Sequence, residues 1–570
     1  MTETIDGATS VVRALSAANI TTLFTLHGGH LDPIYHACLE HEIKIVDVRH
    51  EASAGHAAEA WARLSGGIGA CVVTAGPGFT NVLTSMANAF LDGTPVLYLV
   101  GAAPLREAGL NLMQGGFDQL AMARPIAKHV VQVTDPARID DQIATAITVA
   151  LSGRPGPVVV ELPLDVLVRP CPRQAGGRRP VRVAPSVPNT EVIREVVDIL
   201  ESAVKPVLIL GDVARYQATP DQVASFLAAT GIPAVSDMQA LGLADPAAPG
   251  YAHLLDTLAI ASATGTGAAD AALVLGQRLG GGLGGRSGAF LPADCRVIHV
   301  HPEALELSAL RQPEVAVSSD CGAFLDAITE AWKSTPEHHA AWRDSLTQVP
   351  TSRDTMLTAE VANNGIHPFH AAQEVIKHSP ADAVYVLDGA EALIFTSSVV
   401  RTTTPGGVLA SGQFAGLGTG MGMALGAATI MPNRPIVHIL GDGAMGFHIQ
   451  EFDTLRRHNL PVVTVILNND IWGVSLHGQQ GFYGEDYSCI TRIPGVAYAD
   501  AAQGFGCHAE NVDRLEDIEP ALKRAFASGR PSCINVSTSS EVVPAAIAAL
   551  FGPAGDGEIA VPYYENIPTL

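Results

Sequence analysis

The sequence predicts an α/β chain of three consecutive doubly wound parallel-sheet domains. Three observations carry that prediction. At 570 residues the chain is too long for one core and calls for three or four domains of ordinary size. Short apolar runs that suit buried strands alternate with segments of helical spacing, the order that builds parallel sheets. Glycines, carboxylates and amides cluster where those runs end, at the edge where such sheets hold ligands.

Composition narrows the function classes. Hydrophobic residues make up 47% and charged ones 16%, which suits tightly packed layers and subunit contacts. A formal net charge of −23 argues against binding along a nucleic-acid backbone, while backbone amides and a metal could still hold phosphate locally. Eight cysteines without a CxxC pair read as core residues of a reducing compartment. There is no basic region followed by an apolar segment at the start, and no apolar run approaches the roughly 18 residues that span a bilayer. A cytoplasmic enzyme with no membrane partner is expected.

In chain order, residues 9 to 20 have helical spacing, and a strand from Thr22 to Leu26 runs into His27, Gly28, Gly29 and His30. That loop suits a site and an ordinary turn equally. A strand from Ile43 to Val48 delivers Glu51 to the start of an alanine-rich helix, where a carboxylate could simply favour the positive helix end. Ala70 to Val73 leads into TAGPGFTN, residues 74 to 81, and Thr94 to Val100 is another strand. After the polar loop 111 to 120, a strand from Val158 to Leu162 closes a first domain, 1 to 168, at Pro163 and Leu164.

A proline- and arginine-rich connection, 167 to 190, precedes a central α/β domain, 188 to 345. Its strands are expected at Pro206 to Leu210, Ala271 to Leu275 and Val297 to Val300. The glycine-rich run 280 to 288 lacks the compact GxGxxG placement and reads as a surface loop, while Arg278 and Arg286 leave a nucleotide site open. The charged stretch 331 to 352 is expected to connect to a third domain, 365 to 545.

There the stretch Gly441 to Gly473 reads strand, glycine turn, helix, strand, carboxamide. If the strands are parallel neighbours, Asp442 and Asn469 meet at one sheet edge although 27 positions separate them. A carboxylate, an amide oxygen and backbone oxygens are hard ligands suited to Mg²⁺, and the amides of Gly441 and Gly443 suit phosphate. From GDG alone, an ordinary βαβ unit would look the same.

GDG followed at this spacing by NN closely resembles the signature of thiamine diphosphate enzymes of the acetolactate synthase, benzaldehyde lyase and 2-hydroxyacyl-CoA lyase type. The resemblance runs through nearly the whole chain and is strongest to the benzaldehyde lyase type. It implies the thiamine diphosphate-binding fold, with thiamine diphosphate and Mg²⁺ as cofactors. Asp442, Asn469 and the backbone carbonyl of Ile471 match the metal ligands, with Gly443 and Ala444 alongside the diphosphate. Glu51 matches the glutamate that hydrogen-bonds N1′ of the aminopyrimidine. Gly76 and Asn81 adjoin that ring, and Ala415 and Leu417 press the cofactor into its V shape.

By the same resemblance, His30 and Gln114 face the reacting centre, with His27 and Gly29 shaping the loop beside it. His477, a catalytic candidate, and Gln480, a pocket residue, lie on a segment that helps cover the pocket. Glu485 stands in GFYGED, which departs from the family, as a function-specific acid or base or an exposed charge. Leu164 and Ser411 replace a tryptophan and a histidine of benzaldehyde lyase, which weakens an aromatic substrate. Some members keep FAD or a CoA-type nucleotide in the central domain, a reading not favoured here. The tail, 546 to 570, is a loose end or a lid carrying Tyr563 and Tyr564.

By the family resemblance the active sites are expected to be split, with Glu51, Gln114 and His30 of one subunit facing Asp442 and Asn469 of another. This implies at least a homodimer, with a homotetramer expected. The leading expectation is a lyase and carboligase acting on 2-hydroxy ketones or 2-hydroxyacyl-CoA through a carbanion/enamine. An acetolactate synthase-like transferase using pyruvate is the alternative. A catalytically silent structural or regulatory homologue is the non-enzyme reading, opposed by the presence of Glu51, Asp442 and Asn469.

Overall fold

The computed structural model describes residues 4–110, 113–173, 178–280, 288–308, 311–549, 557–559, 561 and 567–568. Arg286, and Tyr563 and Tyr564 of the expected lid, lie outside the described residues.

Among the described residues, three six-stranded sheets carry the fold. In the first, β1 (Thr22–Thr25), β2 (Lys44–Asp47), β3 (Gly69–Val73), β4 (Val96–Ala102), β5 (His129–Gln132) and β6 (Val158–Pro163) are parallel in the order β2-β1-β3-β4-β6-β5. Strands β4 and β6 are buried along their whole length, as continuous apolar runs covered on both faces must be. The central sheet consists of β7 (Pro206–Leu210), β8 (Ala234–Ser236), β9 (Tyr251–Leu254), β10 (Ala271–Leu275), β11 (Arg296–Val300) and β12 (Val315–Val317). Its order is β9-β8-β7-β10-β11-β12. The third comprises β13 (Val384–Asp388), β14 (Val408–Leu409), β15 (Ile436–Gly441), β16 (Val463–Asn468), β17 (His508–Val512) and β18 (Ser532–Ser537) in the order β14-β13-β15-β16-β18-β17. Counted within each domain, the first and third sheets therefore share one strand order, 2-1-3-4-6-5, although their sequences are not obvious copies.

Two expectations about local structure change. The charged stretch 331 to 352 is not a plain connection. Much of it belongs to the helix Ala340–Ala359, whose Trp342, Leu346 and Val349 are buried in a cluster with Val207 and Val274 of the central domain. Apolar residues at helical spacing lie hidden among its charges, and the Trp342 indole donates to the Pro206 carbonyl at 2.9 Å. The single helix expected behind the glycines of GDG is two short ones, Asp442–His448 and Glu451–Arg457, and Gly441 closes the strand instead of starting a turn.

The chain forms two compact units, Met1–Ala184 with Ala410–Ile436 and His448–Val462, and Pro185–Leu409 with Val437–Phe447 and Val463–Leu570. In the first unit, α1 (Glu51–Ser65) packs on α2 (Thr419–Ile430) through small residues. A Cβ at Gly422 would lie 2.8 Å from the Ser53 carbonyl, and one at Gly426 would overlap that of Ala57. Beneath them lies a fully buried ionic network. Arg63 donates to Glu59, to Asp92 (2.8 Å) and to the Ala410 carbonyl (2.7 Å), and Asn88 donates to both Glu59 oxygens at 2.8 Å. Asp92 accepts the Gly412 and Gln413 amides at 2.9 and 3.0 Å, so one carboxylate anchors the start of the 411 to 418 loop.

Candidate active site

In the second unit, β15 and β16 are parallel neighbours with Gly441 opposite Leu467, so Asp442 and Asn469 leave the same sheet edge side by side. One terminal atom of the Asn469 carboxamide lies 3.2 Å from both Asp442 Oδ1 and the Ile471 carbonyl oxygen. Turned so that this atom is nitrogen, the amide donates to both. Turned so that it is oxygen, three oxygens converge, an arrangement that suits a cation. Asp442 Oδ2 is buried without a hydrogen-bond partner among the described residues, and burial pushes the carboxyl up to about 7.

An orphaned carboxylate oxygen beside converging amide and carbonyl groups fits Mg²⁺, a hard cation that takes oxygen ligands. Among the described residues no group of three or more His, Cys, Asp or Glu side chains could hold a metal. The turn is tightly held. Asp470 adopts φ 58°, the Ile493 amide donates to its carbonyl at 2.7 Å, and the Trp472 amide donates to the Thr491 carbonyl at 2.8 Å. The Tyr498 hydroxyl donates to the Asp442 carbonyl at 2.7 Å, and Ala444 is buried behind Gly443.

The first unit gathers the other expected residues. Glu51 opens α1 and is 6% exposed, and Asn81 donates to its Oε2 at 2.9 Å. Gly76 has φ 66°, and a Cβ there would lie 2.8 Å from Gln114 Cα, so only glycine lets the two loops meet. The Gly76 amide donates to Gln119 Oε1 at 2.8 Å, and Gln119 in turn donates to Glu161 at 2.7 Å. His30 reaches the same edge with Nδ1 3.2 Å from Thr74 Oγ1. Glu51, Gly76, Asn81, Gln114 and His30 thus line one edge of the first sheet.

Other residues are placed differently. His27 is exposed and pairs with Asp32 at 2.9 Å, and Gly29 is exposed beside it. Leu164 begins a short helix and is half-buried. The Ser411 hydroxyl donates to Asn88 Oδ1 at 2.6 Å and accepts the Gly416 amide at 2.9 Å, so it belongs to the buried network and is not open to a substrate. Ala415, at φ 51°, is exposed, and Leu417 is half-buried.

His477 is buried with both ring nitrogens engaged: Nδ1 lies 2.7 Å from Glu391 Oε1 and Nε2 lies 3.0 Å from the Ser540 carbonyl oxygen. It therefore has no nitrogen left for proton transfer to a substrate. Glu485 is exposed, and Gln480 donates to its backbone carbonyl at 2.9 Å. In the central domain Arg278 is paired with Glu306. The reading of the sequence missed Gln119, Asp92, Glu391 and Tyr498. A glutamate opening a helix directly after Asp388-Gly389-Ala390 was a usable signal for Glu391, whereas the other three act through contacts distant in sequence.

Three family models match the chain: "Thiamine pyrophosphate enzyme, N-terminal TPP binding domain" over residues 5–122, its central domain over 193–328 and its C-terminal TPP binding domain over 390–536. A probable acetolactate synthase of Mycobacterium bovis is 31% identical over 552 residues, 95% of this chain and 97% of that protein. The acetolactate synthase isozyme 2 large subunit of Escherichia coli is 30% identical, covering 94% and 95%. The 2-hydroxyacyl-CoA lyase 2 of Bos taurus is 30% identical, covering 93% and 89%. Nothing in these matches singles out benzaldehyde lyase, the type to which the sequence pointed most strongly.

Proposed function

The chain belongs to the thiamine pyrophosphate enzymes, and from that membership we propose that it is a thiamine diphosphate- and Mg²⁺-dependent carboligase of the acetolactate synthase-like type, using pyruvate. The observation that carries the cofactor reading is the meeting of the Asn469 amide with Asp442 Oδ1 and the Ile471 carbonyl, beside an Asp442 Oδ2 that is buried without a partner among the described residues. The choice of reaction is supported by acetolactate synthases at 30–31% identity over nearly the full length. This reverses the order expected from the sequence, which put a 2-hydroxy ketone or 2-hydroxyacyl-CoA lyase first.

Bound thiamine diphosphate supplies a thiazolium carbon that adds to a carbonyl and accepts the electron pair released when an adjacent bond breaks. This chain's residues would do the rest. Asp442, Asn469 and Ile471 would hold the metal, with Gly443 and Ala444 beside the diphosphate. Glu51, steadied by Asn81 on Oε2, would hold a proton on its carboxylate for exchange with the aminopyrimidine. His30 and Gln114 would orient the substrate oxygen, and Ala415 and Leu417 would press on the cofactor. An assembly of at least two subunits, each pairing its Glu51 with the Asp442 of another, and a cytoplasmic location belong to the same proposal, supported by the family resemblance.

A second reading, a 2-hydroxyacyl-CoA lyase, is favoured by relatives of that name at 30% identity. Product analysis with Mg²⁺ and thiamine diphosphate separates the two. Acetolactate from pyruvate is expected. Formyl-CoA from a 2-hydroxyacyl-CoA, with pyruvate untouched, would transfer the protein to the second reading, and no turnover together with no cofactor binding would leave a silent homologue.

A further inference from the structure

We propose that Glu391 and His477 are a buried, charge-compensated pair of positioning residues that pins the metal-binding turn and keeps the adjoining anion site free of uncompensated negative charge. The anion half of this inference rests on the cofactor reading above. The clamp half rests on geometry alone.

Glu391 opens α3 (Glu391–Val399) just past the carboxyl end of β13, and it is 7% exposed. Its Oε1 meets His477 Nδ1 at 2.7 Å. Its Oε2 lies so close over Gly473 that a Cβ there would overlap the carboxylate. Gly473 is the first residue of α4 (Gly473–Tyr483) and stands two positions after Ile471. One carboxylate therefore packs against this helix at its first residue and pairs with it one turn later, at the end where the helix dipole favours negative charge.

The other face of the imidazole completes the tie, with Nε2 3.0 Å from the carbonyl oxygen of Ser540, just past β18. Three strand ends of the third sheet, those of β13, β16 and β18, are thereby joined through two side chains. Both partners of the ring, a carboxylate and a carbonyl, can only accept hydrogen bonds. Both nitrogens must therefore carry protons, so the ring is a cation and the pair is neutral overall. Removing one member leaves the other charge buried and uncompensated. For His477 that would leave a bare carboxylate at the sheet edge assigned to an anionic diphosphate.

The charge argument predicts a sign pattern that a merely structural role does not. His477→Gln should raise the Kd for thiamine diphosphate, at saturating Mg²⁺, at least tenfold. Glu391→Gln should raise it only about threefold. The double variant should bind better than His477→Gln alone, because the uncompensated carboxylate is gone. Trp472, whose ring lies against Gly443, provides a fluorescence signal for the titration. In the ligand-free full chain, both single variants should accelerate amide hydrogen exchange across 473–483.

Wild-type exchange rates in both single variants would overturn the clamp. A double variant no better than His477→Gln would overturn the charge role. Should His477→Gln fail to fold, Gly473→Ala displaces the carboxylate without removing a charge and must likewise accelerate exchange. If the wild-type chain binds no thiamine diphosphate, the cofactor reading fails, and the exchange measurement still decides the clamp.

Discussion

Asp442 is a residue whose local cost is legible in its surroundings. A carboxylate 2% exposed, with one oxygen unpartnered, destabilises the ligand-free protein unless a cation is present. Asp442→Asn should therefore raise the stability of the cofactor-free chain at pH 8, by about 1–3 kcal/mol, while weakening Mg²⁺-dependent thiamine diphosphate binding at least about 100-fold, near 3 kcal/mol. Thermal melts with and without cofactor check both halves, and a variant less stable without cofactor would contradict the account of the site. Glu51 makes the complementary case in the first unit. Glu51→Gln keeps the hydrogen bond geometry at Asn81 but loses the exchangeable charge, so hydrogen–deuterium exchange at C2 of bound thiamine diphosphate should fall by roughly 10²-fold or more. Cofactor affinity should change only a few-fold, and exchange at the wild-type rate would remove Glu51 from its assigned role.

At the scale of elements, the loop 411 to 418 is held less by its own residues than by helix α1 and the turn after Leu91. Arg63 links Glu59, Asp92 and the Ala410 carbonyl with no exposure to solvent. Arg63→Met leaves two buried carboxylates without their cation and should destabilise the chain by about 3–5 kcal/mol, read as a drop in the denaturation midpoint. A loss below 1 kcal/mol would mean that the network is not a stability determinant. None of this was visible in the sequence, because Glu59 and Arg63 look like an ordinary i, i+4 surface pair on a helix. What the sequence did reveal follows from periodicity and from strand ends. The runs 206–210 and 271–275 are strands within those bounds, and Asp442 and Asn469 meet because parallel neighbours bring their carboxyl ends together. Short edge strands such as His129–Gln132 and Val408–Leu409 carry too few residues to show a period. His477 was misjudged for a different reason: its partner Glu391 lies 86 positions away, and only the fold shows that its ring is fully engaged.

For the molecule as a whole, one source of acid sensitivity is a histidine that no site uses. His438 lies in the middle of β15, fully buried, and among the described residues neither ring nitrogen has a hydrogen-bond partner. Burial alone holds its pKa down to about 3. In the unfolded chain it titrates near the ordinary value of about 6.5, so below that pH the unfolded state binds a proton that the folded state refuses. The stability His438 contributes is therefore complete above the unfolded value and is lost as pH falls from there toward 3, at up to about 1.4 kcal/mol per pH unit. His477 works with the opposite sign. Burial pulls its pKa down, but the hydrogen bond and charge of Glu391 outweigh that and raise it overall. Its contribution is thus complete below the unfolded value and is lost as pH rises through the folded one. His438→Leu should remove the first dependence without touching the second. Between pH 8 and pH 5 the variant should lose about 2 kcal/mol less than the wild type, read from denaturation at both pH values, while the alkaline side of its stability profile stays as in the wild type. Equal losses on acidification would show that protons enter the folded chain at His438 or that other groups set its acid limit.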